Sequence, residues 1–279
     1  MGLRILKQAE LEAVQKERIL FYGRAGIGKS RTALSSPEKK YGKIVYYAAD
    51  DNSEFLTSIS PAKRKRIITV KPDNTDPTQN FMAFAMQDWK KIDPEIGTLV
   101  VDTYTQVAMD CIRYSANSGA MTAEKHYIVG DPQNGGQTIP NRGDYMAIES
   151  LSRGFLDMLF DKQRDMHIIF VCHEDIKMVE GIHAVGGPAH PGRAMAEALP
   201  AAFNTVVRLI RESILIPGAS APQDVVVAIG ENDGKFIAKV RTSDEEGVNP
   251  LARVILDKTG SNFWTVFDNA FAQETTNAG

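Results

Sequence analysis

Cysteine is almost missing from this chain: Cys111 and Cys172 are the only two among 279 residues. Two thiols cannot build a multi-bridge framework or, by themselves, a thiolate zinc site, and they fit a reducing compartment. Long apolar runs are missing as well. No stretch approaches the roughly 20 residues of a membrane-spanning helix. The opening "MGLRILKQAELEAVQ" is too polar for the apolar segment of a secretion signal. A soluble cytoplasmic protein without a membrane partner is the expectation. An excess of one charge is lacking too: 32 Lys and Arg stand against 35 Asp and Glu, a net charge of −3. The field of the whole molecule therefore does not draw nucleic acid, and any such contact must come from local patches. No internal repeat or low-complexity tract stands out.

What is there suffices for a large core. With 43% hydrophobic and 24% charged residues, the chain can bury one α/β domain, with or without an appendage. The stretch "LFYGRAGIGKSRTAL" carries the sharpest signal. Gly23, Gly28, Lys29 and Ser30 occupy every fixed position of G-x-x-x-x-G-K-[ST]. Ile19–Tyr22 reads as a buried strand and "KSRTALSS" as the start of a helix. Between them, backbone N–H groups can face inward and form a nest for phosphate oxygens, aided by the helix N-terminus. The candidate nucleotide-binding residues are Gly23, Arg24, Ala25, Gly26, Ile27, Gly28, Lys29, Ser30 and Arg31. Lys29 would reach the β- and γ-phosphates of ATP, and the Ser30 hydroxyl would ligate Mg²⁺. The alternative is a flexible glycine turn.

Further along, "KIVYYAAD", "RIITV", "TLVVDT" and "HIIFVCHE" read as buried strands, and "NFMAFAMQDWKKI", "YTQVAMDCIRYSA" and "DYMAIESLSRGFLDMLF" have helical spacing. Two polar, glycine-rich loops lie at 117–143 and 180–195. "FNTVVRLI" is another strand, "IPGASAPQ" is linker-like, and "VVVAIGENDGKFIAKVRT" reads as a hairpin turned at Asn232–Gly234. "NAFAQETTNAG" reads as a frayed tail. Strands alternating with helices imply a mostly parallel central sheet flanked by helices, with ligands outside the carboxyl ends of the strands.

The polar residues at those ends are therefore the candidates. Asp102 ends "TLVVD", where an acid can hold Mg²⁺ or cap the next helix. Asp50 and Asp51 end "VYYAA", where one could orient an attacking water, or cap the following segment. His173 ends "HIIFVC" and could report whether a γ-phosphate is present, or be structural. A zinc site using His183 and His190 lacks a supporting cysteine pair. Lys239 and Arg241 alternate on one strand and so share a face, either solvated or reaching a neighbour's phosphate. "PAKRKR" holds four consecutive cations, Lys63 to Arg66, on a solvated loop or against a DNA backbone.

Taken in order, "GRAGIGKS", "VYYAADD", "LVVDT", "IIFVCHE", "GGPAHPGRAMAEALPAAFNTVVRL" and "KVR" resemble the RecA-type P-loop ATPase core. They specifically resemble the short phage-encoded nucleotide-binding proteins grouped with single-strand-annealing recombinases, over roughly 17–245. The resemblance implies an N-terminal segment at 1–16, a RecA-like ATPase core at 17–216, and an antiparallel C-terminal hairpin extension with a frayed tail at 217–279. It implies that Lys29 and Ser30 meet phosphate and Mg²⁺, that Asp102 is the second acid, and that His173 senses the γ-phosphate. Lys239 and Arg241 match paired cations acting across a subunit interface. Asp50 stands where the family carries a glutamate, and the shorter side chain argues against vigorous hydrolysis. The resemblance also implies single-stranded DNA held by the loops 117–142 and 181–193, with Lys125, Arg142 and Arg193 as the first cations to test. A homo-oligomer, ring or filament, is implied too, with a single-strand-binding protein as a further partner in the host cytoplasm. Those loops are poor in aromatic residues, Tyr127 being the one present, so their chemistry does not itself advertise strand binding. A helicase-like, loader or packaging ATPase shares the same core. A small-molecule kinase would need an arginine-rich lid, which the sequence lacks, and a nucleotide-gated switch with little turnover stays open.

Overall fold

A computed structural model describes residues 16–50, 53–73, 76–118, 127–129, 137–179, 183–215, 218, 220–240 and 251–272. Its strands are β1 (Arg18–Gly23), β2 (Lys43–Ala48), β3 (Ile67–Val70), β4 (Ile96–Asp102), β5 (Tyr127–Val129) and β6 (Gln137–Ile139). They continue with β7 (His167–Val179), β8 (His183–Pro188), β9 (Thr205–Ile214), β10 (Gln223–Ile229), β11 (Lys239–Val240) and β12 (Val254–Ile255). The longer helices are α1 (Lys29–Leu34), α2 (Pro77–Met86), α3 (Tyr104–Ser118), α4 (Arg142–Lys162), α5 (Arg193–Ala198) and α6 (Ser261–Ala272). None of the described helices is long and apolar enough to cross a membrane.

The main sheet runs β12-β10-β9-β1-β7-β4-β2-β3. From β3 to β9 every neighbouring pair is parallel, and β10 and β12 are added antiparallel. The mixed α/β sheet with antiparallel strands towards the C-terminus is as expected. Each central strand is apolar on both faces, as a sheet covered on both sides requires. Leu20, Tyr22, Val45, Tyr47, Leu99, Val101 and Phe170 pack on one side against α2, α3 and α4. Ile19, Phe21, Ile44, Tyr46, Val100 and Val171 pack on the other, against Ala33 and Leu34 of α1 and Phe263, Trp264 and Phe267 of α6. Because α1 has only six residues, it cannot cover that face alone, and α6 completes it.

Local chemistry fixes the helix starts. The Asp76 side chain accepts from the N–H groups of Thr78 and Gln79, with Pro77 at the first turn of α2. Asn141 and Asp144 form a reciprocal capping box that starts α4 at Arg142.

Several expectations need correction. The hairpin expected to turn at Asn232–Gly234 does not form. β10 and β11 both pair antiparallel with β9, one after the other, so 230–238 is an excursion from one interrupted edge. The excursion bends because it is anchored elsewhere: Phe236 bridges to Gly186, and the Tyr22 hydroxyl donates to the Ile237 carbonyl at 2.7 Å. The hairpin that exists is β9–β10, turning through the linker-like stretch. The first polar loop carries the small β5–β6 pair, and the second contains β8, which pairs antiparallel with a β7 prolonged past the sheet to Val179. The tail begins inside α6, which is helical to Ala272; residues 273–279 lie outside the described part. Arg66 does not face solvent or DNA: it is buried and donates to the Ser36 carbonyl and, at 2.8 Å, to the Gly42 carbonyl. Lys63, Arg64 and Lys65 are exposed.

Candidate functional site

β1 delivers the glycine-rich loop to the carboxyl edge of the sheet, and α1 starts directly after it. Gly26 and Gly28 take φ of 72° and 102°, values that side chains with a Cβ rarely adopt, so the turn needs glycine there. Beside the loop opens a cavity of about 450 Å³. Ala25 through Thr32 line it, with Tyr46, Asp50, Phe55, Asp102, Thr103 and His173 across from them. Sheet register explains the grouping: Gly23 pairs with His173, Asp102 with Val171, and Ala48 with Asp102. The ends of β1, β2 and β4 therefore stop level with His173, beyond which β7 runs on.

Lys29 is buried, and its ammonium donates to the carbonyls of Gly23 at 2.9 Å and Arg24 at 2.8 Å. Burial pulls its pKa down, opposed by the charges of Asp102 and Asp50. Asp102 is 4% exposed. Burial raises its pKa, and hydrogen bonds from the Ser30 and Tyr46 hydroxyls oppose that rise. The Tyr46 hydroxyl donates to Asp102 Oδ2 at 2.9 Å. The two expected Mg²⁺ ligands, Ser30 and Asp102, thus line the same cavity close to each other. A partly exposed hydroxyl and a buried carboxylate beside a buried ammonium form a donor set of hard oxygens that suits Mg²⁺.

Asp50 is half-buried. Burial raises its pKa, while His173, Lys29 and the Thr103 hydroxyl oppose the rise. His173 Nε2 lies 3.9 Å from Asp50 Oδ2, and its pKa is lowered by burial and then by Lys29. The His173 N–H donates to Thr105 Oγ1 at 3.0 Å, and that hydroxyl donates to the Ala189 carbonyl at 2.9 Å. One threonine therefore ties the middle of β7, where it leaves the main sheet, to the segment after β8.

The other candidates are not brought to this cavity. Lys239 lies on β11 opposite Val206, and its amine is 3.4 Å from the Ala201 carbonyl. Arg142 is exposed at the start of α4. Arg193 is exposed on α5 and pairs with Glu197 at 3.3 Å. Arg24 is exposed, offering only its carbonyl to Lys29. Asp51, Lys125 and Arg241 lie outside the described residues.

The family AAA_24, described as an AAA domain, matches residues 15–242. The chain belongs to this AAA domain family. A search of curated proteins finds no match. Among solved structures, the crystal structure of the RadB recombinase is similar at a TM-score of 0.47 with 14% identity, covering 91% of this chain and 93% of that one.

The AAA domain's cavity also contains residues that sequence reasoning missed. Tyr46 sat inside a run read only as a strand, yet the two-residue period puts it on the face of Ile44 and Ala48, towards α1. Arg211 continues the face of Val207 and Leu209 beyond the core and reaches the rim. Leu256, Asp257, Lys258 and Gly260 line the far wall, and no local signal marks them. They are held there by long-range contacts: Arg31 donates to the Lys258 carbonyl at 3.1 Å. Trp264 Nε1 donates to the Thr32 carbonyl at 2.8 Å, and a Cβ on Gly260 would lie 2.4 Å from Thr32 Oγ1.

Proposed function

We propose that this AAA domain binds a nucleoside triphosphate with Mg²⁺ and hydrolyses it slowly, and that an oligomer of it couples the nucleotide to single-stranded DNA in strand annealing. The observation that carries the nucleotide reading is the convergence of Lys29, Ser30, Asp102 and Asp50 on one cavity beside a glycine-rich turn. In this reading the loop amides and the α1 N-terminus receive the phosphates, and the Lys29 ammonium leaves the Gly23 and Arg24 carbonyls for a phosphate oxygen. Ser30 and Asp102 would together hold the metal. Mg²⁺ bound there would neutralise phosphate charge and draw electrons from the bond to be broken.

Asp50 accepts a proton from, or orients, the attacking water, with His173 close enough to hold its free oxygen. The upward shift that burial gives its pKa makes it a better base than a solvated aspartate. The nucleoside would lie towards Phe55, Arg31 and the 256–260 wall, since the cavity extends that way from the phosphate nest. Preference for ATP is part of the proposal.

The DNA and oligomer readings rest on the resemblance of the ordered motifs to RecA-type cores. They gain support from the route out of the site: His173 leads straight into the prolonged β7–β8 arm. Lys239 and Arg241 would serve a neighbour's nucleotide rather than their own, in keeping with the distance of Lys239 from its own cavity. The test is the ATPase rate with and without single-stranded DNA, alongside mass by light scattering. A DNA-stimulated rate from an oligomer is expected. A flat response at low salt would remove DNA from the reading, and phosphate transfer to a nucleoside would replace it with a kinase.

A further inference from the structure

A second cavity of about 250 Å³ opens on the other face of the sheet, at the same end of β2. Tyr114 supplies a partly exposed aromatic wall, the buried Tyr47 closes the floor, Pro72 and Pro77 close the side nearest β3, and Asp110 is the charged group within. Adjacent residues divide between the two cavities: Ala49 lines this one and Asp50 the nucleotide cavity.

Asp110 is poorly neutralised. Its side chain is about a third exposed. Oδ1 accepts from Gln106 Nε2 at 2.7 Å. Its cationic neighbour, Arg113, is 3.8 Å from that same oxygen and itself 61% exposed. Oδ2 has no partner among the described residues. Asp50 adds further negative potential from across the sheet, and Asp73 and Asp110 both act on Tyr47. A carboxylate oxygen left open in an aromatic, proline-walled hollow is unfavourable alone and favourable with a cation, whose charge the ring faces also attract.

We propose that this cavity binds an organic cation, an ammonium or guanidinium group, against Tyr114 with Asp110 as its counter-ion. Two sources offer that chemistry: a lysine or arginine side chain of another polypeptide, and a free polyamine. A bare phosphate, a carboxylate or a neutral amide would meet Asp110 without compensation. The volume of about 250 Å³ admits one such head group with its nearest methylenes.

The experiment is a ligand-observed NMR titration of the full chain without nucleotide, so its outcome is independent of the nucleotide reading. The probes are Nα-acetyl-arginine amide, spermidine, and the neutral isostere Nα-acetyl-citrulline amide. Saturable binding of a cationic probe is expected, with the citrulline compound about tenfold weaker, the weight of one charge-assisted contact. Asp110→Asn should weaken the cation by a similar factor, and Tyr114→Leu should weaken it several-fold. Tighter binding of the arginine compound assigns the site to a polypeptide side chain, and tighter binding of spermidine to a polyamine. The inference is overturned if neither cation saturates, if citrulline binds equally well, or if Asp110→Asn changes nothing.

Discussion

Replacing Trp264 by alanine tests whether the C-terminal helix belongs to the nucleotide-binding fold. Trp264 is fully buried, with ring centroids 4.7 Å from Tyr41, 5.3 Å from Phe263 and 5.9 Å from Phe267. Its indole N–H is bonded to the Thr32 carbonyl of α1. Removing an enclosed aromatic side chain costs about 3–5 kcal/mol through lost transfer energy and the cavity left behind. The hydrogen bond adds only about 1 kcal/mol, because the Thr32 carbonyl keeps the Ser35 hydroxyl at 2.8 Å as a donor. Trp264→Phe, which keeps most of the volume, should therefore lose roughly a third as much. Equilibrium urea unfolding followed by circular dichroism would measure both, and the alanine variant should melt on the order of 10 °C lower. A loss below about 1 kcal/mol for the alanine variant would refute the argument that α6 completes the core over α1.

Lys29→Ala should weaken ATP binding by about 100-fold or more, given the weight of a charge-assisted contact to phosphate; calorimetry giving an unchanged affinity would rule out the phosphate role. Arg241→Ala should leave nucleotide affinity intact and lower turnover. If it acts on a neighbour, mixing that variant with Lys29→Ala should partly restore the rate, and no recovery at any ratio would count against the geometry. Stability should also fall in acid because of His167. Burial lowers its pKa to about 3, and its ring nitrogen Nδ1 accepts from the Glu17 N–H at 3.1 Å. The unfolded chain takes up that proton near pH 6.5 and the folded one does not, so stability is full above about 6.5 and is lost as pH falls towards 3. His167→Gln should flatten that part of the unfolding profile; an unchanged slope would show that other groups produce it.

Local signals were strong where one element makes the feature. The glycine spacing needs only the backbone of a single turn, and the apolar runs of β1, β2, β4 and β7 announce a doubly covered sheet through their own composition. Asp50, Asp102 and His173 could be picked out because an acid or imidazole directly after such a run must sit at the carboxyl edge. The misjudged hairpin shows where this stops. "VVVAIGENDGKFIAKVRT" has the turn residues of a hairpin, but the pairing was decided by β9, whose long edge accepts both arms in succession. Residues 255–260 are mostly polar and exposed, and nothing in them signals a binding wall.

By itself, the order of residues determined the glycine-rich turn, the parallel sheet and the acids at its edge, because each depends on hydrogen-bonding and burial patterns within a few neighbouring positions. Tertiary structure alone decided that Tyr46 braces Asp102, that the C-terminal turn faces the nest across 226 positions from Thr32 to Lys258, and that Asp110 lies in a hollow of its own. Those contacts come from side chains far apart in the chain packing at one place, and spacing along the sequence carries no record of them.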